Sequence, residues 1–283
     1  MRVFVAGGTG VIGRRLLPML VSAGHTVTGI ARTDDVARRL RSLGGEPFIV
    51  DVFDHDVLVE AVRIARPDAI VHQLTALSAR NFEANAALRV RGTRNLVDAA
   101  LAAGTRRIVA QSIAWAYVPG GAPAFETEPL DLSADEPRSR TVNGVASLEA
   151  AVAELAEPVV LRYGILYGPE TWYARDGSVA DQVRAGTLPA DASVTSFLHV
   201  DDAAAACCLA LEWEPCTANV CDDEPAAAAE WVPEFARAVG APEPTVQGDR
   251  PAWARGADNQ FARQMLGWTP RFLTWRVGFW TGL

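Results

Sequence analysis

Hydrophobic residues in the first 165 positions form short continuous runs that alternate with amphipathic, helix-like stretches. The runs span residues 2–7, 25–31, 47–51, 69–74, 106–111 and 158–164. A strand that is buried on both faces reads as such a continuous run, whereas a half-buried strand alternates apolar and polar residues. Strands that alternate with helices favour a parallel sheet covered by helices on both faces. The pattern therefore predicts an α/β fold, a Rossmann-type doubly wound parallel sheet.

The pattern changes near residue 165, where loops containing Gly, Pro and aromatic residues begin to separate shorter helices. We predict a dinucleotide-binding Rossmann domain over residues 1–168, to which residues 196–220 return. Residues 169–195 and 221–283 are predicted to form a small C-terminal substrate lobe. Residues 118–141 form a long, polar, Pro-containing segment. Loops of that length inside compact domains are often functional.

The first apolar run ends in the glycine-rich segment GGTGVIG, residues 7–13. Gly7, Gly10 and Gly13 stand where a strand turns into a helix. Glycines there permit a tight turn and a close backbone approach to a pyrophosphate, which the helix N-terminus also attracts. The alternative is a simple packing turn. The strand before the segment and the helix after it favour the dinucleotide site.

The residue after the second run distinguishes the two nicotinamide dinucleotides. NAD sites usually have an acidic residue there, which binds the ribose 2′-hydroxyl, whereas here Arg32 follows the run. A guanidinium suits a 2′-phosphate, with Arg14 as a second cation, so NADP is preferred. NAD stays open if Asp34 or Asp35 holds the ribose. Asp51, which ends the third run, is placed to meet the adenine amino group.

Composition narrows the chemistry further. The net charge is −8, which argues against a nucleic-acid surface, and all 26 basic residues are arginine. The absence of lysine excludes a Schiff base and a lysine-assisted proton donor, because arginine does not release its proton. The four cysteines lack C-x-x-C spacing and are expected to be reduced thiols. No signal peptide, membrane span or metal site is expected, so the sequence predicts a cytoplasmic protein.

Seven motifs occur along the chain in a recognisable order: GGTGVIG (7–13), DVFD (51–54), VHQLTAL (71–77), RVRGTRNLVDAA (89–100), LRYGILYGP (161–169), FLHVDDAA (197–204) and LGWTPRF (266–272). In this order they resemble the extended short-chain dehydrogenase/reductase family, also called the NAD-dependent epimerase/dehydratase family. The resemblance implies a dinucleotide stretched across the carboxyl edge of the sheet. It also implies a homodimer joined through helices that include residues 89–103 and 143–156.

The resemblance assigns cofactor contacts position by position. The pyrophosphate is expected beside Gly7, Thr9, Gly10, Val11, Ile12 and Gly13, with the adenine near Asp51 and Val52. The ribose is expected beside Leu74, Thr75 and Ala76. The nicotinamide end is expected near Tyr163, Gly164 and Ile165.

The family's proton-transfer residues are missing from this chain. The family uses a Ser or Thr after the fifth strand and a Tyr-x-x-x-Lys pair on the next long helix. The best register puts Asn143 at the tyrosine and Ser147 at the lysine, and a slip by one residue gives no better pair. Ser112 is present but Ile113 follows it. Ser112 is therefore either a substrate-polarising donor or a strand-end cap.

Few other residues are candidates for chemistry in the pocket. Tyr173, in the loop after the sixth run, is an alternative proton donor, and Glu126 and Glu128 lie in the long polar loop. Trp115 and Trp172 are expected to border the substrate and to favour an apolar or aromatic compound. Core packing is the alternative for both tryptophans.

These observations favour an atypical NADP-dependent oxidoreductase, either a reductase or dehydrogenase or an epimerase-type enzyme. Its substrate is expected to be a small apolar or aromatic carbonyl or hydroxyl compound, turned over without the usual Tyr/Lys relay. Two other classes stay open. One is a redox-neutral isomerase or cyclase on the same fold, and the other is a non-catalytic dinucleotide-sensing protein.

Overall fold

The computed structural model describes residues 1–77, 80–246 and 248–283. Within these ranges the strands are β1 (Arg2–Ala6), β2 (Thr26–Ala31), β3 (Glu46–Ile49), β4 (Ala69–His72), β5 (Arg107–Ile113), β6 (Glu157–Tyr163), β7 (Ile165–Tyr167), β8 (Val194–Thr195), β9 (Phe197–His199), β10 (Cys216–Val220) and β11 (Ala226–Ala227). The helices are α1 (Gly13–Ser22), α2 (Asp34–Ser42), α3 (His55–Ala65), α4 (Phe82–Ala87), α5 (Thr93–Ala103), α6 (Arg138–Val152), α7 (Ser178–Arg184), α8 (Val200–Leu209), α9 (Ala228–Val239), α10 (Gln260–Gln264) and α11 (Trp275–Thr281). A π-helical turn, Leu88–Gly92, joins α4 to α5.

The main sheet has seven strands in the order β10-β6-β5-β4-β1-β2-β3. The pairings of β1 with β2 and β4, of β2 with β3, and of β4 with β5 are parallel. The six strands expected from the apolar runs are confirmed, with ends that differ by up to two residues. The carboxyl ends of parallel strands meet at one edge of a sheet, which is where doubly wound folds bind dinucleotides. The Rossmann-type prediction is therefore confirmed.

The chain divides into two compact units. The first comprises Met1–Ser112, Leu132–Leu161 and Cys207–Thr217. Its core is mainly aliphatic, with one phenylalanine, and its fully buried side chains come from the strands and from the helices that cover them, including Phe4, Ile70, Leu96 and Val97. Burial of each such side chain stabilises the fold by about 1.5–3 kcal/mol.

The second unit comprises Ile113–Asp131, Arg162–Ala206 and Ala218–Leu283. Its core is aromatic, and the rings meet edge to face. The Phe197 ring centroid lies 5.1 Å from that of Trp231 and 5.3 Å from that of Phe279. Two small sheets, β7–β9 and β8–β11, contribute Tyr167, Phe197 and Ala226 to this core. The predicted lobe boundaries, 169–195 and 221–283, stay a prediction.

Local capping fixes where the helices after β2 and β3 begin. Thr33 Oγ1 accepts the Val36 N–H at 3.4 Å at the start of α2. Asp54 Oδ1 accepts the Val57 N–H at 3.3 Å at the start of α3. Such caps satisfy backbone donors that have no partner inside the helix. They leave Arg32 and Asp51 in the short turns between strand and helix. Among the described helices, none is long and apolar enough to cross a membrane.

Candidate functional site

The glycine-rich loop between β1 and α1 packs backbone against backbone. Gly7 has φ +97°, and a Cβ there would lie 2.5 Å from the Gln73 carbonyl oxygen. A Cβ on Gly13 would collide with the Gly7 carbonyl oxygen and lie 2.6 Å from the Gly8 carbonyl carbon. Gly10 is exposed, whereas Thr9 and Val11 are half-buried and Ile12 is buried. A loop this close to its neighbours and open on its outer side fits a pyrophosphate.

Two arginines lie near this loop with different surroundings. Arg14 donates from Nε to the Gly10 carbonyl oxygen at 3.3 Å and from Nη2 to the Thr9 carbonyl oxygen at 3.4 Å. Arg32 is exposed at the end of β2 and makes no hydrogen bond or ion pair within the described ranges. Asp35, in the first turn of α2, pairs with Arg38. No carboxylate stands at the strand end itself, since Ala31 precedes Arg32.

The turns after β3 and β4 carry the other expected cofactor contacts. Asp51 is exposed and its Oδ1 accepts the Phe53 N–H at 2.9 Å, while Val52 is buried. After β4, Leu74 and Ala76 are half-buried and Thr75 is exposed. These positions leave the turns open at the edge of the sheet.

His72 organises the turn after β4 and is 1% exposed. Its Nε2 lies 2.8 Å from Thr93 Oγ1, and its Nδ1 accepts the Leu74 N–H at 3.3 Å. Burial lowers the pKa of His72 to about 4, with a smaller contribution from the Arg89 charge. The imidazole is therefore neutral at physiological pH, and its contacts stabilise the turn after β4.

The three residues that the sequence analysis assigned to the proton relay differ in burial and in hydrogen bonding. Ser112 is 1% exposed and donates its hydroxyl hydrogen to Glu149 Oε1 at 2.6 Å. Asn143 and Ser147 are exposed on α6, and the Ser147 hydroxyl donates to the Asn143 carbonyl oxygen at 2.9 Å. Sequence reasoning missed Glu149 as the partner of Ser112, although it is the one acid between residues 141 and 151. The Ser112 hydroxyl is thus committed to a carboxylate.

The second unit contains a cavity of about 240 Å³ with aromatic and small side chains around it. The lining residues are Ala114, Trp115, Gly164, Ile165, Tyr173, Ser193, Val194, Thr195, Ser196, Trp253, Ala254, Arg255 and Gly256. The Trp115 and Trp253 ring centroids lie 6.4 Å apart at 46°. Pockets of this kind bind small molecules through apolar walls and a few polar groups.

The structure separates the two tryptophans that the sequence predicted to border the substrate. Trp115 lines the cavity, whereas Trp172 is absent from its lining and packs against the aromatic core of the second unit. The second tryptophan in the cavity lining is Trp253. It lies in a segment without hydrophobic periodicity, and only its aromatic character in a Gly- and Ala-containing loop could have drawn attention to it.

Arg255 is the one charged residue in that lining, and the carboxylate of Glu128 compensates its positive charge. Its guanidinium contacts both carboxylate oxygens of Glu128, at 2.6 and 3.0 Å, and donates to the Ala122 and Val118 carbonyl oxygens. The bidentate guanidinium lowers the pKa of Glu128. Arg255 therefore fixes residues 118–128 of the long loop.

Tyr163 and Tyr173 belong to the second unit, and Tyr173 lines the cavity. Tyr163 is 2% exposed and donates its hydroxyl hydrogen to the Ala203 carbonyl oxygen at 3.2 Å. The Tyr173 ring packs against Phe197 and Trp231, and burial raises the pKa of Tyr173 to about 12. A phenol with that pKa is a weak proton donor at neutral pH.

Known proteins resemble the chain over all or part of its length. The model of the NAD dependent epimerase/dehydratase family matches residues 3–221. A "3-diazoavenalumate denitrifying reductase" from Streptomyces sp. is 46% identical over 305 aligned residues, which cover 98% of this chain and 99% of that protein. A ketoreductase from Stigmatella aurantiaca that acts on a farnesyl dihydroquinoline oxide is 34% identical over 110 residues, covering 38% of this chain and 32% of that protein.

Solved structures show the same fold at low identity. UDP-glucose 4-epimerase from Thermotoga maritima, with UDP-glucose, superposes with a TM-score of 0.78 at 20% identity, over 99% of this chain and 96% of that one. The Bordetella bronchiseptica enzyme WbmG, in complex with NAD and UDP, gives 0.79 at 22% identity, over 99% and 94%. Together with the family match, these likenesses confirm the expectation of an oxidoreductase-type, dinucleotide-binding chain. The chain belongs to the NAD-dependent epimerase/dehydratase family.

Proposed function

We propose that the protein is a reductase that replaces the diazonium group of a small aromatic compound by hydrogen, with release of N₂ and oxidation of a dinucleotide. One observation carries the proposal. The glycine loop has the close backbone packing expected of a dinucleotide site, and the Ser112 hydroxyl donates to Glu149. We propose that Asn143 and Ser147 stand where the family has its proton relay. The diazo substrate and the loss of nitrogen in the name of the Streptomyces relative support the same reading.

The stoichiometry explains why such a site needs no proton donor. When bound, the reduced dinucleotide supplies a hydride, which balances the conversion of Ar–N₂⁺ to Ar–H and N₂. Reduction of a ketone leaves a negative charge on oxygen and requires a proton as well. A chain with Asn143 and Ser147 in place of tyrosine and lysine is therefore suited to the first reaction.

The residues of this chain then bind and orient the reactants. The backbone of the glycine loop would hold the pyrophosphate, with Leu74, Thr75 and Ala76 beside the ribose. We propose that residues 163–165 lie at the nicotinamide end, and two of them, Gly164 and Ile165, also line the cavity. We propose that the aromatic ring of the substrate occupies this cavity against Trp115. Tyr173 contributes its apolar ring and keeps its proton.

We propose NADPH as the preferred cofactor, and Arg32→Ala tests this. Arg32 is exposed and has no partner among the described residues. Its removal should therefore weaken the binding free energy of NADPH, which carries the 2′-phosphate, by about 1–3 kcal/mol and leave that of NADH almost unchanged. The dissociation constant of NADPH should rise by about 5- to 150-fold, measured by fluorescence titration. Arg41→Ala, an exposed substitution at the far end of α2, is the control. Equal losses for NADPH and NADH would exclude a 2′-phosphate contact.

We also propose a cytoplasmic homodimer. The implied dimer helices carry two large apolar side chains that are about half exposed, Val90 at 46% and Leu101 at 48%. Pairing of these helices between two copies would bury them. Light scattering of the protein alone, and of Leu101→Glu, distinguishes a dimer that the substitution breaks from a monomer.

Turnover measured on matched substrates tests the proposed reaction. We expect the protein with NADPH to release N₂ from an aryl diazonium salt in step with NADPH oxidation, and to leave the corresponding aryl ketone unchanged. Gly13→Ala and protein-free reactions correct for direct reduction in solution. NADPH binding without turnover would indicate a sensor. Turnover without NADPH consumption would indicate a redox-neutral enzyme.

A further inference from the structure

We infer that the cavity of the second unit selects the cationic diazonium form of its substrate over neutral forms. The selection rests on the face formed by Trp115 and Trp253, here called the aromatic wall, and on the cancellation of the Arg255 charge by Glu128. The inference deepens the proposed function and depends on it for the identity of the substrate.

The aromatic wall is a single surface. Its centroid separation of 6.4 Å lies within the range of about 4.5–7 Å for rings in direct contact, and the 46° tilt is far from parallel. No ligand ring fits between the two indoles, and both line the same cavity. The faces of indole rings carry negative electrostatic potential, and a cation over such a face gains about 0.5–2 kcal/mol. A neutral ring of the same shape gains only the apolar contact.

The charge balance of the cavity also favours a cationic ligand over a neutral one. Arg255 has 7% of its side chain exposed, and Glu128 meets it with both carboxylate oxygens. An uncompensated guanidinium in the lining would repel an incoming cation, more strongly here than in bulk water. The carboxylate removes this repulsion. The cavity can therefore accept a positive charge.

The other polar groups in the lining are uncharged hydroxyls. The Ser196 hydroxyl both accepts the Ala257 N–H at 2.9 Å and donates to the Ala257 carbonyl oxygen at 3.0 Å. Ser193 and Thr195, two residues apart along the chain, also line the cavity. Hydroxyls of this kind orient a ligand without setting its charge preference. Charge selection therefore falls to the aromatic wall and to the Arg255–Glu128 pair.

Glu128→Gln is the sharpest test, because it preserves shape and unmasks the Arg255 charge. The probes are an aryl diazonium salt and the aryl nitrile of the same substitution, a neutral linear isostere. Binding of both is measured by quenching of tryptophan fluorescence with the oxidised dinucleotide present, so that no turnover intervenes. We expect the dissociation constant of the diazonium to rise about 10-fold and that of the nitrile to change by less than about 2-fold. Glu136→Gln, which removes an exposed charge from the same long loop, should change neither.

Trp253→Leu provides an independent second variant. Loss of one indole face should weaken binding of the diazonium several-fold more than binding of the nitrile. Leucine preserves the apolar contact but lacks the negative potential of the indole face. Equal weakening of both probes in both variants would overturn the inference, as would tighter binding of the diazonium to Glu128→Gln. If Glu128→Gln fails to fold, Trp253→Leu decides alone. Selective cation binding without diazonium reduction would leave the inference standing and refute the proposed function.

Discussion

Gly13→Ala is expected to abolish dinucleotide binding and to lower the free energy of unfolding by about 3 kcal/mol. The added Cβ would collide with the Gly7 carbonyl oxygen and would lie 2.6 and 2.7 Å from two backbone atoms of Gly8. Backbone atoms cannot rotate away as the end of a side chain can. The loop must therefore shift as a whole and lose its fit to the pyrophosphate. Chemical denaturation and NADPH titration measure the two effects.

Gly121→Ala is the matched control for this experiment. No heavy atom lies within 4 Å of a Cβ at Gly121, and its φ is not positive. We expect a change in unfolding free energy within about 0.5 kcal/mol and an unchanged dissociation constant for NADPH. If Gly13→Ala bound NADPH as the wild type does, the close-approach account of the loop would be wrong.

Asp222→Asn is expected to stabilise the protein at neutral pH. Asp222 is 1% exposed, and its Oδ2 has no hydrogen-bond partner among the described residues, while Oδ1 accepts the Glu224 N–H at 3.2 Å. Burial raises the pKa of Asp222 from 3.8 to about 8. Asparagine keeps the Oδ1 acceptor and carries no titrating proton. We expect a gain in unfolding free energy at pH 7 of up to about 4 kcal/mol.

The pH dependence gives the sign of this effect. Between pH 3.8 and about 8 the folded chain keeps a proton on Asp222 that the unfolded chain has released. Stability of the wild type therefore falls as pH rises through this window, and the Asp222 contribution is absent from the variant. Denaturation at pH 5, 7 and 8.5 measures both slopes, with the exposed Asp176→Asn as control. A variant less stable than the wild type at every pH would contradict the account.

Local patterns predicted the strands and the phosphate loop because their signals lie within a few residues. Continuous apolar runs identified β1 to β6, and three glycines identified the turn after β1. The short strands β7, β8, β9 and β11 escaped prediction. Each has only two or three residues, so none carries a detectable alternation, and pairing with distant partners stabilises them. β10 was likewise hidden by its polar residues.

The cavity was harder to predict than the loop because its pairs join distant residues. Glu128 and Arg255 are 127 positions apart, and Trp253 approaches Trp115 across a similar separation. A single sequence gives no local sign of such contacts. The position of Trp115 relative to the family motifs led to its prediction at the pocket, and Trp115 does line the cavity. The missing relay stays a prediction. It placed Trp172 at the pocket from its loop position alone, whereas packing draws that ring into the aromatic core.

Transfer of deuterium tests most directly whether the protein reduces a diazonium by hydride alone. The reaction uses an aryl diazonium salt, NADPH deuterated at the transferring position, and ordinary water, with a second reaction in D₂O and unlabelled NADPH. The account predicts one N₂ and one oxidised dinucleotide per product, with deuterium from NADPH at the carbon that lost nitrogen and none from D₂O. Product labelled only from D₂O, or NADPH oxidised without N₂ release, would contradict it.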